Sequence, residues 1–224
     1  MIRVAITTDR YRIAASWYHR LGLEPVPLPC VRVDPAGDEV LARIRSATAD
    51  ADLLLISSAR VLDLLWPRSP MPDVPVAVVG KRTASAVTDH GGRVAFTGTS
   101  GLAALLGDID FSGSTRVVFP HAAGSDRGAI EGLRRQVPVL QDFVAYRSVP
   151  MAPPPTEVEA VAFSSPSAIA GWLLSRTLDG LVVGVIGPTT AAALARHRAP
   201  DVVAPQPSHE LMARAMASYL EVSV

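Results

Sequence analysis

The chain has 224 residues, enough for one large domain or for two small domains of roughly 100 residues each. Hydrophobic residues make up 49% of the sequence and charged residues 19%, a globular balance that excludes a disordered chain. The 21 basic and 21 acidic residues cancel, so no net charge favours a nucleic-acid or membrane partner, and the single cysteine, Cys30, excludes an internal disulfide and a thiolate metal cluster.

The N-terminal residues 1–6 predict a short strand rather than a secretory signal, because polar residues 7–9 interrupt the apolar run. The longest apolar stretch, 180–195, is broken at Pro188 and is shorter than the roughly 20 residues of a membrane span. A single cysteine also suits a reducing compartment. These features predict a cytoplasmic protein without a membrane partner.

Short apolar runs rich in β-branched residues alternate along the chain with Ala- and Leu-rich segments at helical spacing. We predict that these runs are buried strands of a parallel sheet. They span residues 4–6, 53–56, 76–79, 117–119, 158–163 and 182–186. Five of the six runs are followed directly by Ser, Thr or Gly and then by a helical pattern, which is typical of βαβ winding and predicts an α/β fold.

Two of these units repeat within the chain at one common offset. Residues 56–59, Ile-Ser-Ser-Ala, match residues 163–166, Phe-Ser-Ser-Pro, and residues 78–84 match residues 185–191. Two strands and their loops that share an offset indicate a duplicated βαβ unit. The repeat leaves the connectivity open, since the domains could be in tandem or one could be inserted into the other.

Two further segments, 25–34 and 137–149, contain Pro and β-branched residues without helical periodicity. Either segment is consistent with an edge strand or with a linker between domains.

The usual motifs of cofactor and metal chemistry are missing from the sequence. No run has the glycine spacing of a dinucleotide-binding or Walker loop, and no serine lies in a nucleophile elbow. The histidines at 19, 90, 121, 197 and 209 show no metal-ligand spacing. We therefore expect neither a metal nor an organic cofactor.

Hydroxyl residues recur where a predicted strand passes into a predicted helix. Such residues commonly cap helices, with the side-chain oxygen accepting a backbone N–H. In an open α/β sheet, however, ligands bind at the carboxyl ends of strands, where helix N-termini favour anions. Both interpretations apply to Thr7, Thr8, Ser57, Ser58, Thr83, Ser164, Ser165, Ser167, Thr189 and Thr190, with Arg10, Arg82 and Arg127 as the nearest cationic candidates.

These junctions resemble the short motifs of the uroporphyrinogen-III synthases, and the similar segments follow the family's order along the whole chain. The matching segments are Thr8 with Arg10, Ile56-Ser57-Ser58-Ala59, Val79-Gly80 with Thr83-Ala84, Tyr146-Arg147, Phe163-Ser164-Ser165-Pro166-Ser167, Ile186-Gly187-Pro188-Thr189-Thr190-Ala191, and Pro207 with Glu210-Leu211.

The resemblance implies two small parallel-sheet α/β domains joined by two antiparallel linker strands. One domain would be discontinuous, with residues 1–31 and 152–224, and the other, residues 33–143, would be inserted into it. The linkers would be about 25–34 and 137–149.

The resemblance also implies the reaction, in which hydroxymethylbilane cyclises with loss of water and inversion of its terminal pyrrole ring. Tyr146 would assist departure of the hydroxyl group, although a tyrosine on an edge strand is often only a packed ring. The carboxylate-rich substrate would be bound by Thr8, Arg10, Ser57, Ser58, Thr83, Ser164, Ser165, Ser167, Pro188, Thr189 and Thr190.

We expect a monomer with no nucleic-acid partner. The main alternative is a non-catalytic tetrapyrrole-binding or regulatory protein of the same fold. A phosphate-ester or nucleotide enzyme is a third possibility, supported by the helix N-termini but not by any glycine-rich loop.

Overall fold

The computed structural model describes residues 1–67, 69–98 and 101–221 of the chain. In chain order the strands are β1 (Arg3–Ile6), β2 (Glu24–Pro27), β3 (Val31–Pro35), β4 (Leu53–Ile56), β5 (Pro75–Val78), β6 (Arg93–Thr97), β7 (Arg116–Ala122), β8 (Val139–Pro150), β9 (Ala160–Phe163), β10 (Val182–Val185) and β11 (Val202–Val203). The helices are α1 (Tyr11–Arg20), α2 (Asp38–Ala49), α3 (Arg60–Leu65), α4 (Lys81–Asp89), α5 (Gly101–Asp108), α6 (Arg127–Gln136), α7 (Pro166–Trp172), α8 (Pro188–Leu194) and α9 (His209–Tyr219).

The chain divides into two compact units. Unit 1 contains both chain ends, Met1–Arg32 and Ser148–Val224, and unit 2 is the intervening segment Val33–Arg147. Each unit has its own sheet, in which the strand pairs with assigned register are parallel. The predicted α/β class with parallel sheets is confirmed. In the described part of the chain, no helix is both long and apolar enough to cross a membrane.

The sheet of unit 1 has the strand order β11-β10-β9-β1-β2 and is covered on both faces. Successive residues of β1 enter different cores, because side chains alternate between the faces of a sheet. Val4 and Ile6 pack with residues of α1 and α9, whereas Ala5 packs with residues of α7 and α8. This double coverage explains why the central strands are continuous apolar runs.

Strand β2 lies at one edge of this sheet and contains two prolines. Its Glu24 N–H donates to the carbonyl of Ile2, and the N–H of Leu28, just beyond the strand, donates to Ile6, at 2.9 and 3.1 Å. The backbone N–H and C=O groups of alternate residues in a strand point to the same neighbouring strand, so those of positions 25 and 27 face away from β1. Pro25 and Pro27 therefore remove no hydrogen bond from the sheet.

The sheet of unit 2 has the order β3-β8-β7-β4-β5-β6. One face packs against α2, α3 and α4, and the other against α5 and α6. Strand β7 shows the alternation, since Val118 packs on the first face and Val117 and Phe119 pack on the second.

Strands β3 and β8 are neighbours and carry the chain from one unit to the other. Within unit 2 the Ala36 N–H donates to the Ala145 carbonyl, and within unit 1 the Met151 N–H donates to the Cys30 carbonyl, both at 2.9 Å. Residue numbers rise on one segment as they fall on the other, so the two segments run antiparallel. The range 25–34 contains most of β2 and of β3, and the range 137–149 contains most of β8.

Gly171 in α7 lies where the helix meets these returning segments. A β-carbon at this position would be 2.7 Å from the carbonyl oxygen of Met151 and would overlap that of Cys30. Both contacts are with backbone, which cannot rotate away as a side chain can. Only glycine fits at this position without displacing the chain.

Candidate functional site

The predicted hydroxyl junctions of unit 1 lie at one edge of its sheet. Strands β10, β9 and β1 are adjacent and parallel, so their carboxyl ends meet at the same edge. The structure brings together at this edge the predicted residues Thr8, Arg10, Ser164, Ser165, Ser167, Pro188, Thr189 and Thr190.

Two threonines follow β1 at this edge, and both are buried. The Thr7 hydroxyl donates to the Ala162 carbonyl at 2.7 Å and so ties β1 to β9. The Thr8 hydroxyl donates to Asp9 Oδ1 at 3.3 Å and accepts the Arg10 N–H at 3.2 Å, which shapes the turn into α1. Thr7 thus has a structural partner in the sheet, and Thr8 organises the backbone around Arg10.

Serine side chains cap two of the helices in unit 1. Ser165 Oγ accepts the N–H of Ala168 at 3.2 Å at the start of α7. Ser208 Oγ accepts the N–H of Leu211 at 3.4 Å at the start of α9. Ser208 is not among the predicted residues, although a serine before a helical pattern is an ordinary cap signal. The capping interpretation accounts for Ser165 without a ligand.

At two of the predicted junctions, the helix begins at a glycine instead. Gly80 precedes α4 and Gly187 precedes α8, and neither helix has a side-chain hydrogen bond at its cap. Thr83 lies in the first turn of α4 and Thr190 in the first turn of α8, where Thr190 is only 3% exposed. These first turns differ from that of α7 because no side chain occupies their cap.

In unit 2, two predicted junctions lie together. Strands β4 and β5 are adjacent and parallel, so Ser57 and Ser58 after β4 lie at the same sheet edge as the start of α4, which carries Thr83. Ser58 Oγ accepts the Arg60 N–H at 3.4 Å. Ser57, Ser58 and Thr83 are all half-buried.

Tyr146 lies in β8 opposite Ala122, the last residue of β7, and is 5% exposed, packed in the core between the sheet and helices α2, α3 and α4. Within the described ranges, no residue forms a hydrogen bond with its phenol oxygen. The ring is held by packing, and its hydroxyl hydrogen is not used in a hydrogen bond within the described residues.

The remaining nucleophilic and metal-binding groups offer little chemistry. Burial raises the pKa of the Cys30 thiol to about 12, which outweighs the opposing effect of Arg176, so the thiol stays protonated near neutral pH. Among residues 1–67, 69–98 and 101–221, no group of three or more His, Cys, Asp or Glu side chains could hold a metal ion.

A pocket of about 750 Å³ opens at the amino-terminal ends of the unit 1 strands, where residues 153–157 and 175–181 lead into β9 and β10. Arg176 lines it and donates to the carbonyls of Pro154 and Thr156, at 3.3 and 2.6 Å. Its guanidinium also lies 4.5 Å from the centre of a Trp172 ring. The arginine is thus committed to the fold rather than presented to a ligand.

The architecture defines an α/β protein of two parallel-sheet units, one of them formed by both chain ends, with hydroxyl residues at the carboxyl edges of both sheets. Among solved structures, the chain is similar to the uroporphyrinogen-III synthetase of Helicobacter pylori 26695, with 18% identity, a TM-score of 0.69 and coverage of 97% of this chain and 99% of that one. It is also similar to a mutant uroporphyrinogen III synthase of Thermus thermophilus, with 16% identity, a TM-score of 0.62 and full coverage of both chains. At these identities the similarity establishes the fold. A search of curated proteins gave no significant match.

The family model for uroporphyrinogen-III synthase HemD matches residues 14–214. The chain belongs to the uroporphyrinogen-III synthase family, as its strand-end motifs indicate. Its class of enzyme follows from the family, which comprises cyclising lyases of porphyrin and heme biosynthesis that act on a small-molecule tetrapyrrole.

Proposed function

We propose that the chain converts hydroxymethylbilane into uroporphyrinogen III, with Tyr146 assisting the loss of water and the strand-end hydroxyl groups binding the substrate's carboxylates. The observation that carries the proposal is the family match over residues 14–214. Within that range, the segments 56–59, 163–167 and 186–191 lie at the carboxyl ends of strands in both sheets, at the edges where ligands of α/β proteins bind.

Departure of the substrate hydroxyl is the step that a protein acid can accelerate. The carbon–oxygen bond breaks, a proton reaches the leaving oxygen, and water and an electrophilic azafulvene result. The Tyr146 phenol, without a hydrogen-bond partner among the described residues, is suited to donate to that oxygen. Attack by the substituted carbon of the terminal pyrrole then gives a spiro intermediate, which rearranges with ring inversion, and closure returns a proton.

Binding of the carboxylates relies on neutral donors and on local cations rather than on net charge. The first-turn N–H groups of α4, which begins at Gly80 without a side-chain cap, suit an anionic group, with Lys81 exposed beside them. In unit 1, the hydroxyls of Thr189 and Thr190 can donate to further carboxylates, and the Thr8 hydroxyl can do so once it leaves Asp9 Oδ1. Because the free bilane closes unaided to the uninverted isomer, much of the catalytic effect would come from holding one folded geometry.

The setting of this activity is also a proposal. The 21 basic and 21 acidic residues balance, which argues against a nucleic-acid partner, and the buried thiol of Cys30 suits a reducing cytoplasm. We propose a cytoplasmic monomer that needs neither metal nor organic cofactor.

One assay tests the function directly. Purified protein is treated with a chelator, given hydroxymethylbilane without added cofactor, and the oxidised products are separated into type III and type I uroporphyrin. We expect the ratio to shift towards type III in proportion to enzyme concentration. Type I product alone, from a sample with an intact unfolding transition, would instead favour a non-catalytic tetrapyrrole-binding protein.

A further inference from the structure

The end of β7 contains an irregularity that changes the orientation of Tyr146. His121 pairs with Val144 of β8, but the next residue, Ala122, pairs with Tyr146, so that Ala145 is an extra residue on β8. One extra residue in one strand is a β-bulge, and bulges often redirect side chains near functional sites.

The bulge determines which core receives the tyrosine ring. Phe143 and Ala145 pack on the face of the sheet that is covered by α2, α3 and α4, as expected for alternate residues of a strand. In a regular strand the following residue would point to the opposite face, yet Tyr146 packs in the same core as Ala145. Without the bulge, the phenol would lie on the side of α5 and α6.

One peptide unit holds the bulge in place. The N–H of Ala123 donates to the Tyr146 carbonyl at 2.9 Å. The carbonyl of the same peptide unit, that of Ala122, accepts the N–H of Ser125 at 3.0 Å and lies 2.8 Å from His121 Nδ1. Because a peptide unit is planar, a group that fixes the direction of its oxygen also fixes the direction of its N–H.

The His121 ring is buried and its tautomer follows from its neighbours. A carbonyl oxygen only accepts, so Nδ1 carries a proton in both the neutral and the charged ring. Nε2 has no hydrogen-bond partner in the described part of the chain, and it lies 3.7 Å from Asp142 Oδ2. The other oxygen of that carboxylate, Oδ1, is bound by the Arg134 guanidinium at 2.7 Å. The contact with Ala122 is therefore the ring's one hydrogen bond within the described residues.

We infer that His121 is a positioning residue for Tyr146, acting through the peptide unit between Ala122 and Ala123. The inference rests on the proposed role of Tyr146 in the reaction. The His121 imidazole orients the peptide unit, and the N–H of that unit holds the Tyr146 carbonyl. The bulge fixed in this way directs the phenol to the face of the sheet that is covered by α2, α3 and α4.

Two amide substitutions of nearly equal polarity separate this role from simple packing. His121→Asn can place its amide N–H near the position of Nδ1, whereas His121→Gln places it near that of Nε2, towards Asp142. We expect His121→Asn to retain most of kcat and His121→Gln to lose about ten-fold in kcat with KM little changed, since small misplacements of a reacting group are costly. Equal kcat values for the two variants would overturn the inference.

A double-mutant cycle then tests the link to Tyr146. In the Tyr146→Phe background, His121→Gln should cause less than about a two-fold further loss, because no phenol remains to be positioned. Losses that multiply would show that His121 acts independently of Tyr146 and would overturn the inference.

A spectroscopic readout keeps the inference distinct from the proposed function. The chain has four tyrosines, so fluorotyrosine labelling gives few ¹⁹F resonances, and Tyr146→Phe identifies that of Tyr146. The resonance should move in His121→Gln and stay near its wild-type position in His121→Asn. If Tyr146→Phe is fully active, the proposed catalytic role of the Tyr146 phenol is wrong. The shift of the Tyr146 resonance in His121→Gln still decides whether His121 positions the ring. An unmoved resonance in folded His121→Gln overturns the positioning itself.

Discussion

Gly171→Ala should destabilise unit 1 even though alanine favours a helix more than glycine does. The added β-carbon would lie 2.7 Å from the Met151 carbonyl and would overlap that of Cys30, so α7 or the returning segments must shift. Forcing a group into a packed site typically costs about 1–3 kcal/mol, more than the roughly 0.5–1 kcal/mol gained in helix propensity. We expect a net loss of about 1–2 kcal/mol.

The matched control is Gly132→Ala in α6, where a β-carbon would meet no atom within 4 Å. This change should stabilise the protein by roughly 0.5–1 kcal/mol, because only the helix propensity differs. Both variants are unfolded in urea and followed by tryptophan fluorescence, which includes Trp172 in the same helix as Gly171. A midpoint for Gly171→Ala that equals or exceeds that of Gly132→Ala would refute the steric argument.

Four further predictions concern single side chains. Tyr146→Phe should lower kcat by roughly ten-fold or more with product affinity near wild type, measured by turnover and titration. Ser165→Ala should lower the free energy of unfolding by about 1 kcal/mol through loss of its cap, whereas Thr190→Val should weaken substrate binding by about 0.5–1.5 kcal/mol with melting temperature unchanged. Because folding raises the Cys30 pKa from 9.0 to about 12, unfolding releases a proton in that interval. The free energy of unfolding of the wild-type protein should therefore fall as pH rises from about 9 to 12, by up to roughly 1.4 kcal/mol per pH unit. Urea unfolding measures this fall relative to Cys30→Ala, which has no thiol to titrate.

The strands predicted from the sequence are those buried on both faces. Leu53–Ile56 is fully buried and was predicted at its observed bounds. Strand β6, Arg93–Thr97, was missed; it lies at the edge of its sheet and is partly exposed, and its apolar run is only three residues long. The two-residue β11 is too short to show any periodicity.

The candidate site was predictable in composition but not in geometry. Hydroxyl residues after apolar runs are visible in a sequence, and so is the Tyr146-Arg147 pair. The bulge at Ala145 is not, because it depends on hydrogen bonds between β7 and β8 rather than on residue type. For the same reason nothing in the spacing of the histidines pointed to His121, whose role follows from one peptide unit.

The prolines of β2 have a consequence for the behaviour of the protein at high concentration. An exposed sheet edge normally offers donors and acceptors to a strand of another molecule, which is a route to aggregation. Here the outward positions are Pro25 and Pro27, which have no N–H, and the Pro25 carbonyl already accepts the Tyr11 hydroxyl at 2.8 Å. The opposite edge strand, β11, has two residues. Unit 1 therefore gives a second molecule little to pair with at either end of its sheet.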